Sequence, residues 1–418
     1  MLLRQRSVCT DGETLNAQKA LRECGGKQKF SPTAHIKISC DKFYDTLVNR
    51  LKLVVDKKTK KDYNKNVFSA RTERENYSEG QTMAILVTGG AGFIGSHTCV
   101  ELLNAGEEIV VMDNFYNSNS KALDGIRKIT GKDFRFYEAD MLDIAAVDQI
   151  FAENDIEQVI HFAGYKCVPE SVKKPLMYYS NNLRGTFNIL ETMKKYGCTK
   201  FVFSSSATVY GIPATVPVKE DFPLSAINPY GSTKLIIENL CREMSAADPA
   251  WTMILLRYFN PVGAHESGLI GEDPNGIPNN LMPIVLDKAT GKRDVLAVAG
   301  NDYPTPDGTC VRDYIHVVDL AKGHVAAVRK ARTITGAPAY NLGTGKGYSV
   351  LEILDTFQRV NGIDLGYTIG PRRPGDAAAT YSDPSLAEKE LGWKAEKTLD
   401  EMCRDAWHFR QVRAAEDK

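Results

Sequence analysis

The sequence predicts an α/β fold, a doubly wound parallel sheet followed by a smaller mixed α/β lobe. Two observations carry this expectation. From Ala84 to Arg257, short apolar runs rich in β-branched residues alternate with longer helical stretches, the pattern of βαβ units. Beyond Arg257 the spacing loosens and Gly and Pro become frequent through 260–308, as suits a loop-rich lobe.

Residues 1–82 read as an extension outside this pattern. They carry a basic run, Lys57-Lys58-Thr59-Lys60-Lys61, and one apolar cluster over Phe43–Val55 that suits a short amphipathic helix. We expect most of the segment to be disordered, with Met83 standing immediately before the first strong strand. The expected division is 1–82 extension, 83–258 dinucleotide-binding domain and 259–418 substrate lobe, with some later segments returning to the first domain. Strands are predicted at Ala84–Thr88, Glu108–Met112, Phe134–Ala139, Gln158–Phe162, Lys200–Phe203 and Thr252–Arg257. Helices are predicted at Phe93–Gly106, Leu142–Glu153, Leu176–Tyr196 and Tyr230–Ala247.

Composition excludes several classes of function. Lys+Arg and Asp+Glu both number 52, so no net charge recommends nucleic acid or an anionic membrane as a partner. No apolar run approaches the roughly 20 residues that a spanning helix needs. The nine cysteines stand singly, without a Cys-x-x-Cys pair. They indicate neither a disulfide framework nor a metal site, and suit reduced thiols in the cytoplasm.

The first strand runs into Thr88-Gly89-Gly90-Ala91-Gly92-Phe93-Ile94-Gly95. Gly89 permits the tight turn, Gly92 lets the backbone approach a pyrophosphate, and Gly95 lets the helix pack against the strand. Glycines serve ordinary turns as well, but a preceding strand and a following helix are the context that makes this a Rossmann dinucleotide site. The second strand ends at Asp113, whose carboxylate suits a ribose 2′-OH and repels a 2′-phosphate. NAD is therefore expected rather than NADP. His161-Phe162-Ala163-Gly164 closes the fourth strand with small residues that let the chain pass near the dinucleotide.

Tyr230 and Lys234 are spaced i, i+4, which places both on one helical face. A lysine ammonium near a phenol favours the phenolate, which can then exchange a proton with a sugar hydroxyl. With 18 tyrosines in the chain, about one such pair is expected by chance. Tyr196 and Lys200 have the same spacing but straddle a helix end and a strand start, so they are read as accidental. Ser204-Ser205-Ser206 closes the preceding strand. Ser206 is the candidate partner of the phenol, whereas Ser204 and Ser205 are read as strand-end caps.

The runs Thr88–Gly95, Phe203–Gly211, Tyr230–Lys234, Leu256–His265, Gly276–Pro283 and Val311–Asp319 together resemble UDP-galactose 4-epimerases of the extended short-chain dehydrogenase/reductase type. The resemblance covers Ala84 to about Trp407. It implies that Phe93, Ile94, Asp113, Asn114, Asp140, Met141, Phe162, Ala163, Gly164, Tyr165, Lys166, Asn181 and Phe259 surround NAD. It implies that Ser206, Tyr230 and Lys234 form the catalytic set, and that Asn260, Asn280, Leu281, Arg312, Arg373 and Asp376 hold the UDP-sugar. Two guanidinium groups suit a diphosphate. The implied reaction is transient oxidation at sugar C4, and family members are often homodimers through a helical pair.

A related 4,6-dehydratase would need an acid and a base directly after the strand-end serine; here stand Ala207 and Thr208. An epimerase of uronic acids would look alike. A non-catalytic dinucleotide sensor could dispense with Tyr230 or Lys234, and both are present. The resemblance also places Thr380, four residues after Asp376, against the sugar C2 substituent, where a small residue would admit an N-acetyl group. Tyr381 is adjacent, and a one-residue slip would turn it inward instead.

Overall fold

The computed structural model describes residues 83–416 apart from Ile277 and Pro374; expectations for residues 1–82 lie outside the described residues. The main sheet contains β1 (Ala84–Thr88), β2 (Ile109–Asp113), β3 (Arg135–Glu138), β4 (Ile156–His161), β5 (Lys200–Ser206) and β6 (Thr252–Tyr258). A seventh strand comes from much later in the chain. After β7 (Asn260–Val262), β8 (Ala297–Ala299) and β9 (Val311–His316), β10 (Ala339–Leu342) pairs parallel with β6. The resulting order is β10-β6-β5-β4-β1-β2-β3, parallel throughout. The order reverses between β1 and β4, where such sheets bind ligands at their carboxyl ends.

Both faces of the sheet are buried, which explains the continuous apolar strands. The helices are α1 (Phe93–Asn104), α2 (Lys121–Thr130), α3 (Ile144–Glu153), α4 (Val168–Lys173), α5 (Pro175–Tyr196), α6 (Pro229–Ala247), α7 (Leu281–Ala289) and α8 (Val317–Ala331). On one face Ile85, Val87, Ile160 and Val202 pack with Leu102 of α1, Ile126 of α2 and Val328 of α8. On the other, Leu86, Val159, Phe201 and Phe203 pack with Phe151 of α3, Met193 of α5 and Ile237 of α6. Alternation along each strand therefore feeds two cores.

Strand β5 and helices α2 and α4 differ from the predicted elements. Strand β5 continues to Ser206, because Ser204, Ser205 and Ser206 pair with Leu256, Arg257 and Tyr258. Helix α2 was not anticipated. Its Gly125 weakens helix propensity but leaves room for Ile270, whose Cγ2 would lie 2.6 Å from an added Cβ. Of the segments after residue 259, α8 contributes to the first domain's core and β10 to its sheet.

The smaller lobe is built from β7, β8, β9, β11 (Gly347–Ser349), β12 (Thr368–Gly370) and β13 (Ala379–Thr380), with α7, α9 (Val350–Asn361) and α11 (Leu399–Glu416), whereas α10 (Ser385–Leu391) packs Ala387 into the core of the main sheet. Its core joins Val285 and Leu286 of α7, Leu354 and Phe357 of α9, and Met402 and Ala406 of α11. Parallel pairing of β9 with β13 sets Thr380 opposite Arg312 and Ala379 opposite Val311.

Candidate active site

A cleft opens at the carboxyl ends of β1, β2 and β4. Gly89 turns there with φ +71°, and a Cβ on it would meet Ala163 N at 2.8 Å. On Gly95 a Cβ would lie 2.2 Å from Gly89 O, so α1 can start this close only on glycine. The start of α1 presents the backbone of Gly92, Phe93 and Ile94 to the cleft. Asp113 closes β2 in a buried position. Its Oδ2 accepts from Ala91 N at 3.0 Å, while Oδ1 accepts from Phe115 N at 2.9 Å and Ser118 Oγ at 2.7 Å. Asn114 donates to Asp140 Oδ2 at 2.9 Å. Met141, Phe162, Ala163, Gly164, Tyr165, Lys166 and Asn181 continue the lining.

These groups fit an NAD. The glycine turn leaves a cradle that any side chain would fill, the helix start offers N–H groups to phosphates, and a carboxylate stands at the expected ribose position. Phe259 is the exception among the expected cofactor residues. It is buried with Val209, Tyr210 and Val218 and lies outside the lining of the cleft. Two lining residues had not been singled out from the sequence, Tyr116, whose ring packs 4.6 Å from that of Tyr165, and Glu272, while Ser204, expected only as a strand-end cap, and Tyr258 line the cleft as well. Tyr116 and Glu272 arrive from segments outside the quoted motifs, so local pattern carried no signal for them.

Tyr230 and Lys234 stand one turn apart at the start of α6 and both line the cleft. Pro229 occupies the first turn, and Asn228 caps the helix by accepting from Gly231 N at 2.8 Å. Lys234 Nζ donates to Ser204 O at 2.6 Å and lies 5.8 Å from the Tyr230 ring centroid. Burial lowers the Lys234 ammonium to about 7. Burial likewise pushes the Tyr230 phenol up to about 12, against an opposing hydrogen bond with Ser206. The expected pull of a full ammonium on the phenol is thus outweighed by desolvation of both groups.

The three serines divide their work differently from the expected caps. Ser206 Oγ caps the short turn Ala207–Tyr210, accepting from Thr208 N at 3.2 Å and Thr208 Oγ1 at 3.0 Å. Ser205 donates to Glu238 at 2.5 Å, inside a buried network with Arg257. Ser204 offers its carbonyl to Lys234 and hydrogen-bonds Tyr258. Extension of β5 to Ser206 is the cause, since only the last serine remains at the strand end. Tyr196 and Lys200 take separate partners, Phe151 and Glu157.

The expected substrate residues gather in the other lobe. Arg312 Nη2 lies 3.4 Å from Asp376 Oδ1. The charges of Arg312, Arg373 and Asp376 all act on buried Tyr314, which marks their convergence. Asn260 pairs with Tyr314 in the β7–β9 ladder. Asn280 is the N-cap of α7 and Leu281 its first residue; Asn280 Nδ2 donates to Glu272 at 2.7 Å.

Residues 86–406 match the family model described as GDP-mannose 4,6 dehydratase. The UDP-glucose 4-epimerase of Bacillus subtilis (strain 168) is 64% identical over 327 residues, which is 78% of this chain and 96% of that protein. The chain belongs to the UDP-glucose 4-epimerase family. Among solved epimerases, that of Bifidobacterium longum in complex with NAD+ and UDP superposes with a TM-score of 0.77 at 53% identity, covering 79% of this chain and 99% of the other. The UDP-Glc/GlcNAc 4-epimerase of Campylobacter jejuni superposes at 0.70 with 37% identity, over 79% and 100% of the two chains. Among the described residues no helix is long and apolar enough to cross a membrane.

Proposed function

We propose that the protein interconverts UDP-galactose and UDP-glucose at a retained NAD. One observation carries the reading: Tyr230, Lys234 and the glycine turn line a single cleft, and the Tyr230 phenol is bonded to Ser206. When bound, NAD supplies a hydride acceptor that returns the same hydride, so it is regenerated in each cycle.

The chain's own residues do the rest. Asp113 takes the ribose hydroxyls of the adenosine, and the start of α1 holds the phosphates. Tyr230 accepts the proton of the sugar 4-OH and later returns it. Ser206 orients the phenol and polarises the sugar oxygen. Lys234, fixed by the Ser204 carbonyl, stands where it can hold the nicotinamide ribose and bias the phenol by its charge. Arg312 and Arg373 neutralise the diphosphate of the sugar nucleotide, while Asp376 and Asn280 anchor it.

A dehydratase reading lacks its acid and base, because Ala207 and Thr208 occupy the turn after Ser206. The deciding experiment incubates purified protein with UDP-galactose, UDP-GalNAc and UDP-glucuronic acid, without added reductant, and analyses the products. Denaturation of a parallel sample should release NAD or NADH. Conversion of only the uronic acid, or recovery of NADP, would defeat the reading.

A wider substrate range is favoured by one observation. Thr380 lies opposite Arg312 in the β9–β13 ladder, hence on the same sheet face, whereas Tyr381 Cδ1 lies 3.0 Å from a Cβ built on Gly347. The small residue then faces the sugar, and UDP-GalNAc and UDP-GlcNAc are substrates too. Two chains pair through α5 and α6, which carry the exposed apolar side chains Leu176, Phe187 and Ile236; sedimentation of the purified protein tests this. The free thiols Cys99, Cys167, Cys198, Cys241, Cys310 and Cys403 suit the reducing cytoplasm.

A further inference from the structure

The loop 270–275 reaches from the smaller lobe to the cofactor cleft and is fastened along its length. At its base Gly271 passes Phe409 so closely that a Cβ would lie 2.5 Å from the ring. At its far end Asn275 donates its backbone N–H to Asn117 Oδ1 at 3.0 Å and its side-chain amide to Ser118 O at 3.3 Å. Between them Glu272 is buried, and its Oε1 accepts from Lys166 Nζ at 3.2 Å and from Asn280 Nδ2 at 2.7 Å.

We propose that Glu272 is a positioning residue that couples occupancy of the UDP-sugar site to retention of the cofactor. This rests on the reading of the cleft as an NAD site and of Asn280 as a UDP-sugar contact. Glu272 lines the cleft, yet a carboxylate has the wrong sign to contact a diphosphate. Its two hydrogen bonds indicate another use. One runs to Lys166, on the cofactor side. The other runs to Asn280, at the cap of α7.

Asn280 keeps its Oδ1 and a second amide hydrogen for a ligand. A sugar nucleotide that grips this amide stops it from turning, and thereby fixes Glu272. The loop, already tied to the adenosine-side segment by Asn275, is then closed over the dinucleotide, and escape of the dinucleotide slows. To the extent that UDP tightens the equilibrium binding of the cofactor, linkage makes bound cofactor tighten UDP by the same factor.

The test follows loss of NAD from the holoprotein, trapping released nucleotide with an NAD-consuming enzyme, with and without UDP. In the unaltered protein UDP should slow release about fivefold or more. Glu272→Ala removes both hydrogen bonds, and Glu272→Asp keeps the carboxylate but withdraws by one methylene the oxygen that both partners share; each should lose most of the UDP effect. Glu272→Gln keeps an oxygen for Asn280 and should retain it. The ratio with and without UDP is internal to each variant, so a general loss of stability does not imitate the result. The inference is overturned if UDP has no effect on the unaltered holoprotein, or if the alanine and aspartate variants keep the full effect. Glutamine behaving like alanine overturns the route through Asn280. Protein that neither carries NAD nor binds it when added overturns the cofactor reading, and the inference with it.

Discussion

Lys234 grips the carbonyl of Ser204 at 2.6 Å while its ammonium lies 5.8 Å from the ring of Tyr230. The lysine thus ties the start of α6 to the end of β5, while the phenol answers to its own burial and to Ser206. With Tyr230 pushed up to about 12 and Lys234 lowered to about 7 by burial, the phenol is neutral at pH 7. A positive charge brought into the cleft would lower the phenol.

Tyr230→Phe removes the phenol hydroxyl that is hydrogen-bonded to Ser206. Turnover should fall by roughly 10²–10⁴, the usual worth of a positioned acid–base group, while UDP binding measured by calorimetry persists. Tyr196→Phe should turn over nearly as the unaltered protein does, because Tyr196 packs on Phe151 and has no link to Lys200. The opposite pattern would move the assignment.

Lys234 should leave a signature in stability against pH. Its folded pKa of about 7 lies below the ordinary lysine value of about 10.4. Between these values the unfolded chain binds more protons, so this group makes stability rise with pH across that window. Lys234→Met abolishes that contribution. Unfolding in urea at several pH values should show the unaltered protein gaining on the variant from about pH 7 to pH 10. Parallel pH profiles would show that Lys234 is not depressed.

Glu238 and Arg257 form a buried bidentate pair, with N···O distances of 2.9 and 2.7 Å. Glu238→Ala strands the Arg257 guanidinium, which is 1% exposed. A loss of about 3–5 kcal/mol is expected for such an unpaired charge, read as a lowered urea midpoint. A loss below about 1 kcal/mol, the scale of an exposed pair, would mean that the network is solvated.

Thr380→Tyr should abolish conversion of UDP-GalNAc and spare UDP-galactose, as judged by product analysis. A phenol on the face shared with Arg312 occupies the space assigned to the acetamido group. No activity of the unaltered protein on UDP-GalNAc would remove the basis of this prediction.

A chain beginning at Met83 should fold and turn over like the full chain. The main sheet starts at Ala84, whose N–H is already satisfied by Asp155 O at 2.8 Å. Loss of folding on truncation would show that earlier residues contribute to the core.

The sequence by itself determined the features that depend on near neighbours. Alternating apolar runs located β1 to β6 to within a few residues, because both faces of each strand are buried by helices formed nearby. The glycine spacing specified the turn at Gly89 and the close start of α1 at Gly95, since backbone sterics act over a few residues. The i, i+4 placement of Tyr230 and Lys234 follows from helix geometry alone. Only the tertiary structure decided the remainder. The pairing of Thr380 with Arg312 depends on strand register between segments 68 residues apart, and three alanines before it provide no landmark. Which later segments return to the first domain, the shift of the capping role to Ser206, and the meeting of Lys166, Glu272 and Asn280 likewise arise between distant segments. Such contacts are set by packing of whole elements and by desolvation, which local periodicity does not encode.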